Sequence, residues 1–267
     1  MKNFEEAKKL FEESLQIKEE NYSKIHPSVT ETLGNLAFLL QRMGEYEKAS
    51  GLFNEALEID KKLFGDLHPV VSTDLYNLAS NTALMGNLKG AEKLYSEVLE
   101  FDKKLLGEDH PYIALDLNNL AGIYSDRGDY EKAEVLYNES LSLNKKIYGN
   151  EHHEVATSLS NLGVMYNRWK KYDLAESLLK SALDMRIKLL GENHPNSVTS
   201  MNIYASLLTS KKKYKEAVKK YRKSLSLRIE MLGEDHPQTA NAFLGLGNAL
   251  IETKSFRLES DISQLLL

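Results

Sequence analysis

The 267-residue sequence predicts an all-α array of stacked helix hairpins, and three residue registers that recur every 42 positions carry the prediction. The first is a histidine at His26, His68, His110, His152, His194 and His236, followed by proline in every case but one, where His153 takes its place. All five prolines and all seven histidines of the chain fall on this grid. The second is an alanine at Ala7, Ala49, Ala91, Ala133, Ala175 and Ala217, each preceded three residues earlier by Phe4, Tyr46, Leu88, Tyr130, Tyr172 or Tyr214. The third is a glycine at Gly65, Gly107, Gly149, Gly191 and Gly233. Units this small cannot bury an apolar face alone, so neighbours must stack. No stretch alternates with a period of two, and no sheet is expected.

Read in order, the chain is one repeat domain over residues 1–267. Residues 1–26 form the second helix of a leading partial repeat, with Phe4, Ala7, Phe11 and Leu15 at helical spacing. Full repeats follow over 27–68, 69–110, 111–152, 153–194 and 195–236. Each opens near its His-Pro step, because proline is tolerated in a first turn where its missing N–H leaves nothing unpaired. In the third repeat Leu117, Leu120, Ala121 and Tyr124 mark the first helix and Arg127-Gly128-Asp129 the turn. Tyr130, Ala133, Tyr137 and Leu141 resume the spacing in the second, which ends through Lys145-Lys146 at Gly149, where cations suit the helix dipole. Residues 237–267 make an incomplete, degenerate last repeat with Glu259 in the alanine register. Its closing Leu265-Leu266-Leu267 is expected to promote self-association, since an uncapped repeat exposes apolar surface.

Composition narrows the functional classes. A net charge of -5 provides no overall basic field for nucleic acid, and the absence of cysteine excludes disulfides, thiolate metal sites and thiol catalysis. No apolar leader opens the chain and no run is long enough to span a membrane, so a cytoplasmic protein without a membrane partner is expected.

The combination Leu117-x2-Leu120-Ala121-x2-Tyr124 with Ala133-x3-Tyr137 resembles the tetratricopeptide repeat. The 42-residue period, Leu-Asn-Asn-Leu-Ala over residues 117–121, Gly-Asp-Tyr-Glu-Lys-Ala-Glu over 128–134 and Leu-Gly-Glu-Asp-His-Pro over 106–111 are similar to the kinesin light chain subclass. The resemblance covers essentially the whole chain and implies a right-handed superhelical solenoid whose first helices line a concave, peptide-holding groove. Departures occur where Gly44, Gly86 and Gly128 become Lys170, Lys212 and Lys254. Nothing resembles the heptad segment that joins kinesin light chains to the motor, so cargo transport does not carry over.

The candidate chemistry is mostly accounted for by the repeat. Metal ligands must converge to about 2 Å from one ion, whereas stacked helices lie about 8–10 Å apart, so one histidine per repeat is read as a helix-starting residue and no metal or cofactor is expected. The acid pairs Glu108-Asp109 and Glu234-Asp235 are placed beside helix starts, where acids are favoured. Gly245-Leu246-Gly247 follows no strand and is not a phosphate loop. The lone Trp169 is assigned to packing at a helix corner. The run Lys211-Lys212-Lys213-Tyr214-Lys215 could meet an acidic peptide, phosphate or anionic surface, or be a solvated face.

One stripe is not explained by packing within a hairpin. Leu115, Asn119, Gly122 and Asp126 point about 180° away from the core stripe of their helix at about 100° per residue. The equivalents are Glu31, Asn35, Phe38 and Arg42, then Thr73, Asn77, Ser80 and Leu84, then Thr157, Asn161, Val164 and Arg168. Asparagine is a weaker helix former than Glu, Lys or Gln, and an amide both donates and accepts, as gripping a peptide backbone requires. Asn35, Asn77, Asn118, Asn119 and Asn161, with Phe38 for an apolar ligand group and Arg42 and Arg168 for an acidic one, are therefore the candidate peptide-binding residues. The alternative is that these amides tie one repeat to the next. The expected function is a non-enzymatic interaction scaffold for a peptide or partner helix. A regulatory or sensor module of an ATPase- or protease-linked assembly, acting by self-association, is the alternative.

Overall fold

In the computed structural model, residues 2–234 and 236–265 are described, with backbone alone for Lys2, Gln238, Asn241 and 254–265. Among them are twelve helices and no strand. They run α1 (Lys2–Asn21), α2 (Pro27–Met43), α3 (Tyr46–Phe64), α4 (Pro69–Leu84), α5 (Leu88–Leu106) and α6 (Pro111–Arg127). Then come α7 (Tyr130–Tyr148), α8 (His153–Arg168), α9 (Tyr172–Leu190), α10 (Pro195–Ser210), α11 (Tyr214–Leu232) and α12 (Pro237–Leu265). The chain divides into two compact units, Met1–Leu136 and Tyr137–Leu267.

The histidine register starts the helices. At His26, His68, His110, His152 and His194 the ring Nδ1 accepts the backbone N–H two residues on, at 3.1–3.3 Å, satisfying a donor that the first turn leaves free. Tyr22, Phe64 and Tyr148, each four residues before, stack on His26, His68 and His152 at 4.2–4.6 Å and fix the ring's orientation. His152 therefore caps α8 as its counterparts cap theirs, although His153 stands where the others have proline.

Between the two helices of a repeat, Gly44 and Gly128 adopt the left-handed conformation and their N–H groups return to carbonyls of the last turn. Lys170 (φ 62°) and Lys212 (φ 59°) hold the same conformation with a side chain that disfavours it. The last repeat differs. Position 254, in register with those lysines, lies inside the continuous helix α12, so no turn separates a first from a second helix there. Nothing in Lys254-Ser255-Phe256 supplies a glycine-type stop.

In the first unit each helix packs on the next, from α1 to α6. One core cluster joins Leu36, Ala37 and Leu40 of α2, Ala49, Phe53 and Leu57 of α3, Val71, Leu75 and Leu78 of α4 and Val98 of α5. In the second unit α8 to α12 pack in sequence and α10 also touches α8 and α12, so first helices are neighbours there. The alanines Ala49, Ala91, Ala133, Ala175 and Ala217 are fully buried, because the two helices of a hairpin approach where only a methyl fits.

Candidate functional site

The stripe on α2 is open to solvent throughout. Glu31, Asn35, Phe38 and Arg42 are exposed, while Leu33, Leu36, Ala37 and Leu40 of the same helix are buried. Phe38 is 43% exposed yet meets Phe53 edge-on at 5.2 Å, and the Arg42 guanidinium lies 5.5 Å over the Phe4 ring. The same stripe places Leu84 at 53% and Leu115 at 45% exposure on α4 and α6. Large apolar side chains thus stand beside amides on an open helix face.

The asparagines are not equivalent. Asn35 is exposed and Asn77 half-buried, and neither side chain makes a hydrogen bond among the described residues. Asn119 Nδ2 donates to the Tyr76 hydroxyl at 3.4 Å, joining α6 to α4, which is the tie between repeats that the sequence left open. Asn118 and Asn161, like Arg168, are engaged by neighbours. Asn35, Phe38, Arg42, Asn77, Asn118 and Asn119 belong to the first unit, Asn161 and Arg168 to the second.

Much of the lysine run is consumed structurally. Lys211 Nζ donates to Asp173 and Glu176, and Lys213 Nζ to Glu176, linking consecutive repeats. The hydrogen bonds from Lys211 and Lys213 hold the Glu176 carboxyl down to about 2. Trp169 stacks along Tyr166 and carries the Lys171 ammonium 3.1 Å from its ring centre, a packing role.

A second polar column escaped the sequence reading. It lies at Lys18, Asp60, Asp102, Asn144, Arg186 and Arg228 on the second helices, facing Thr32, Asp74, Asp116, Ser158 and Ser200 on the next first helix, fourteen residues on. Lys18 donates to Thr32 at 2.8 Å, Asn144 to Ser158 at 2.9 Å, and Arg186 to Ser200 at 2.5 Å. Arg228 donates to Thr199 at 3.3 Å. Between them are two carboxylate pairs. Burial, and then the neighbouring Asp60, push Asp74 up to about 7; burial, and then Asp102, push Asp116 up to about 8. Ser72 Oγ donates to Asp102 Oδ1 at 2.5 Å, whereas Asp116 Oδ2 has no hydrogen-bond partner among the described residues. The available signal was a polar residue recurring at the 42-residue period inside an otherwise apolar register.

Pro69, Val70, Thr73 and Tyr76 of α4, Val98, Leu105 and Leu106 of α5, and Tyr112 and Leu115 of α6 enclose a cavity of about 390 Å³ that Asp102 and Asp116 also line. Among the described residues no group of three or more His, Asp or Glu side chains could hold a metal ion. No described helix is long and apolar enough to cross a membrane.

Capped helix hairpins at a constant period, with an exposed stripe on the first helix, define a helical-repeat protein. The sequence profile described as "Tetratricopeptide repeat" matches residues 1–62, 28–104, 71–146, 117–188, 154–230 and 197–258, and the chain belongs to that family. No curated protein matches the sequence. Among solved structures, BtubC (BKLC) from P. vanneervenii is 24% identical over 88% of this chain and 92% of its own, with a TM-score of 0.68. A putative kinesin light chain of Podosopora anserina with nearly identical repeats is 22% identical over 77% of this chain and 97% of its own, at a TM-score of 0.65. The Rap protein complexed with Competence and Sporulation Factor is 16% identical, covering 95% of this chain and 72% of its own, at a TM-score of 0.59. These likenesses establish a shared all-α tetratricopeptide fold, with kinesin light chain-like proteins among the neighbours.

Proposed function

We propose that this protein is a non-enzymatic interaction scaffold that holds a peptide segment or partner helix on its first-helix face. The observation that carries the reading is the α2–α4 stripe, where Asn35 and Asn77 have unspent amides and Phe38 and Leu84 expose apolar surface beside them. A bound main chain pairs with the amides, and Phe38 covers an apolar side chain. An acidic residue of the ligand pairs with Arg42 in this reading, which is supported by the exposure of that side chain above Phe4. The Rap neighbour lends support, having been solved in complex with another factor.

Asn35 and Asn77 are the residues to test, because changing them breaks no side-chain hydrogen bond among the described residues. Replacing both by Ala should leave thermal unfolding unchanged or slightly improved, alanine being the better helix former. Affinity for a partner captured from native lysate should fall by about 1–3 kcal/mol, since each lost amide strands a polar group of the ligand. Lys61→Ala with Lys62→Ala, near the end of α3, is the control and should alter binding little. Unchanged affinity in the Asn35/Asn77 variant would remove the face from consideration. The C-terminal leucines expected to drive self-association contribute nothing to this reading: Leu266 and Leu267 lie outside the described residues, as does the side chain of Leu265.

A further inference from the structure

The cavity between α4, α5 and α6 has a charge that the fold does not require. Asp102 and Asp116 are 4% and 2% exposed and so form its bottom, while Tyr112 and Leu115, 57% and 45% exposed, stand at its mouth. Ser72 satisfies one oxygen of Asp102, but Asp116 Oδ2 is buried without a partner, and neither acid forms an ion pair with a lysine or arginine among the described residues. One repeat further along, the same two positions hold Asn144 and Ser158, joined by a neutral hydrogen bond of 2.9 Å, and the next holds Arg186 and Ser200. The fold therefore accommodates a neutral or a cationic pair at this place. Even when the two acids share a proton, the charge that remains is buried without a basic partner, and it becomes favourable when a cation with matching donors enters.

We propose that this cavity binds a basic side chain of a protein ligand, arginine in preference to lysine, with the guanidinium on Asp102 and Asp116. This rests on the first-helix face being the ligand-binding face, since Thr73 and Leu115 of its stripe line the same cavity. The walls suit the guanidinium specifically. Its planar, weakly hydrated group stacks on aromatic rings, here Tyr76 and Tyr112, while its forked donors match carboxylate oxygens. A lysine ammonium is more strongly hydrated and presents no flat face to the rings. The apolar stem of the incoming side chain lies against Leu115. A ligand for the whole face thus carries a cation for this cavity in addition to any acid that meets Arg42.

The test uses the intact chain and small probes in place of the unidentified partner. N-acetyl-arginine methylamide is titrated near neutral pH and followed by the ring resonances of Tyr76 and Tyr112. Its citrulline counterpart, equal in shape but uncharged, is titrated alongside. The arginine probe should bind saturably, about tenfold more tightly than the citrulline probe, because charge-assisted bonds to carboxylates are the stronger kind. The double substitution Asp102→Asn, Asp116→Ser copies the pair at the next repeat, and should abolish that preference. Equal binding of the two probes, or no saturable binding of arginine, would overturn the proposal even if the double variant failed to fold. An arginine preference that survives in a folded double variant would overturn it as well. Failure of this probe test alongside a positive Asn35/Asn77 result would discard the cavity and leave the scaffold reading standing; the reverse pattern would place a cation site on a face that is not the partner's.

Discussion

Raising the pH should weaken the first unit, and Asp116→Asn should relieve that weakness. Burial and then the Asp102 charge raise Asp116 from the ordinary 3.8 to about 8. The folded chain therefore holds a proton there that the unfolded chain releases, and the sign follows directly. The contribution to stability is fully present below about pH 4 and is lost as the pH climbs through about 8. Asp74, raised to about 7 beside Asp60, acts in the same direction. Two charges about 4 Å apart repel by about 4 kcal/mol at an effective dielectric of 20, and local relaxation reduces this, so a loss of about 2 kcal/mol for the Asp102–Asp116 pair is expected. In Asp116→Asn an amide N–H replaces the shared proton as donor to Asp102, and the titration disappears. At pH 8.5 the variant should be the more stable by about 2 kcal/mol, or about 4–8 °C in melting temperature. At pH 5.5 the two proteins should melt within about 2 °C of each other, about 0.5 kcal/mol. Thermal unfolding followed by circular dichroism at both pH values measures the difference, and ordinary acid effects on other carboxylates cancel between variant and parent. A variant equally destabilised at both pH values would show that the pair carries no titrating strain, and the reasoning would fail.

Two further outcomes follow from the helix ends. Lys170→Gly and Lys212→Gly should each stabilise the second unit by about 0.5–1 kcal/mol, because glycine occupies the left-handed conformation without the side-chain penalty; urea unfolding without gain would contradict this. His110→Ala should cost about 1 kcal/mol by leaving the Tyr112 N–H uncapped, while His110→Asn should recover most of it, as read from melting temperatures.

The site was legible in part and for definable reasons. The Asn stripe could be located because a rotation of about 100° per residue separates it from the core stripe of its own helix. Its hydrogen bonding could not: Asn119 reaches Tyr76 on the neighbouring repeat, while Asn35 and Asn77 make no side-chain hydrogen bond among the described residues. The lysine run was equally ambiguous until Asp173 and Glu176, more than thirty residues away, were seen to take Lys211.

By itself the sequence determined the repeat and its punctuation. The His-Pro steps, the buried alanines and the left-handed glycines act through local backbone geometry and short-range capping, and they recur with the 42-residue period. The tertiary structure alone decided which columns oppose each other across a repeat boundary. Helical periodicity assigns a residue to a face, but the partner of that face depends on how adjacent helices pack. That packing sets Asp60 against Asp74 and Asp102 against Asp116, then Asn144 against Ser158 and Arg186 against Ser200. One register position thereby changes from basic to acidic to neutral and back to basic along the chain, and its charge is expressed only where two helices close over it and exclude water.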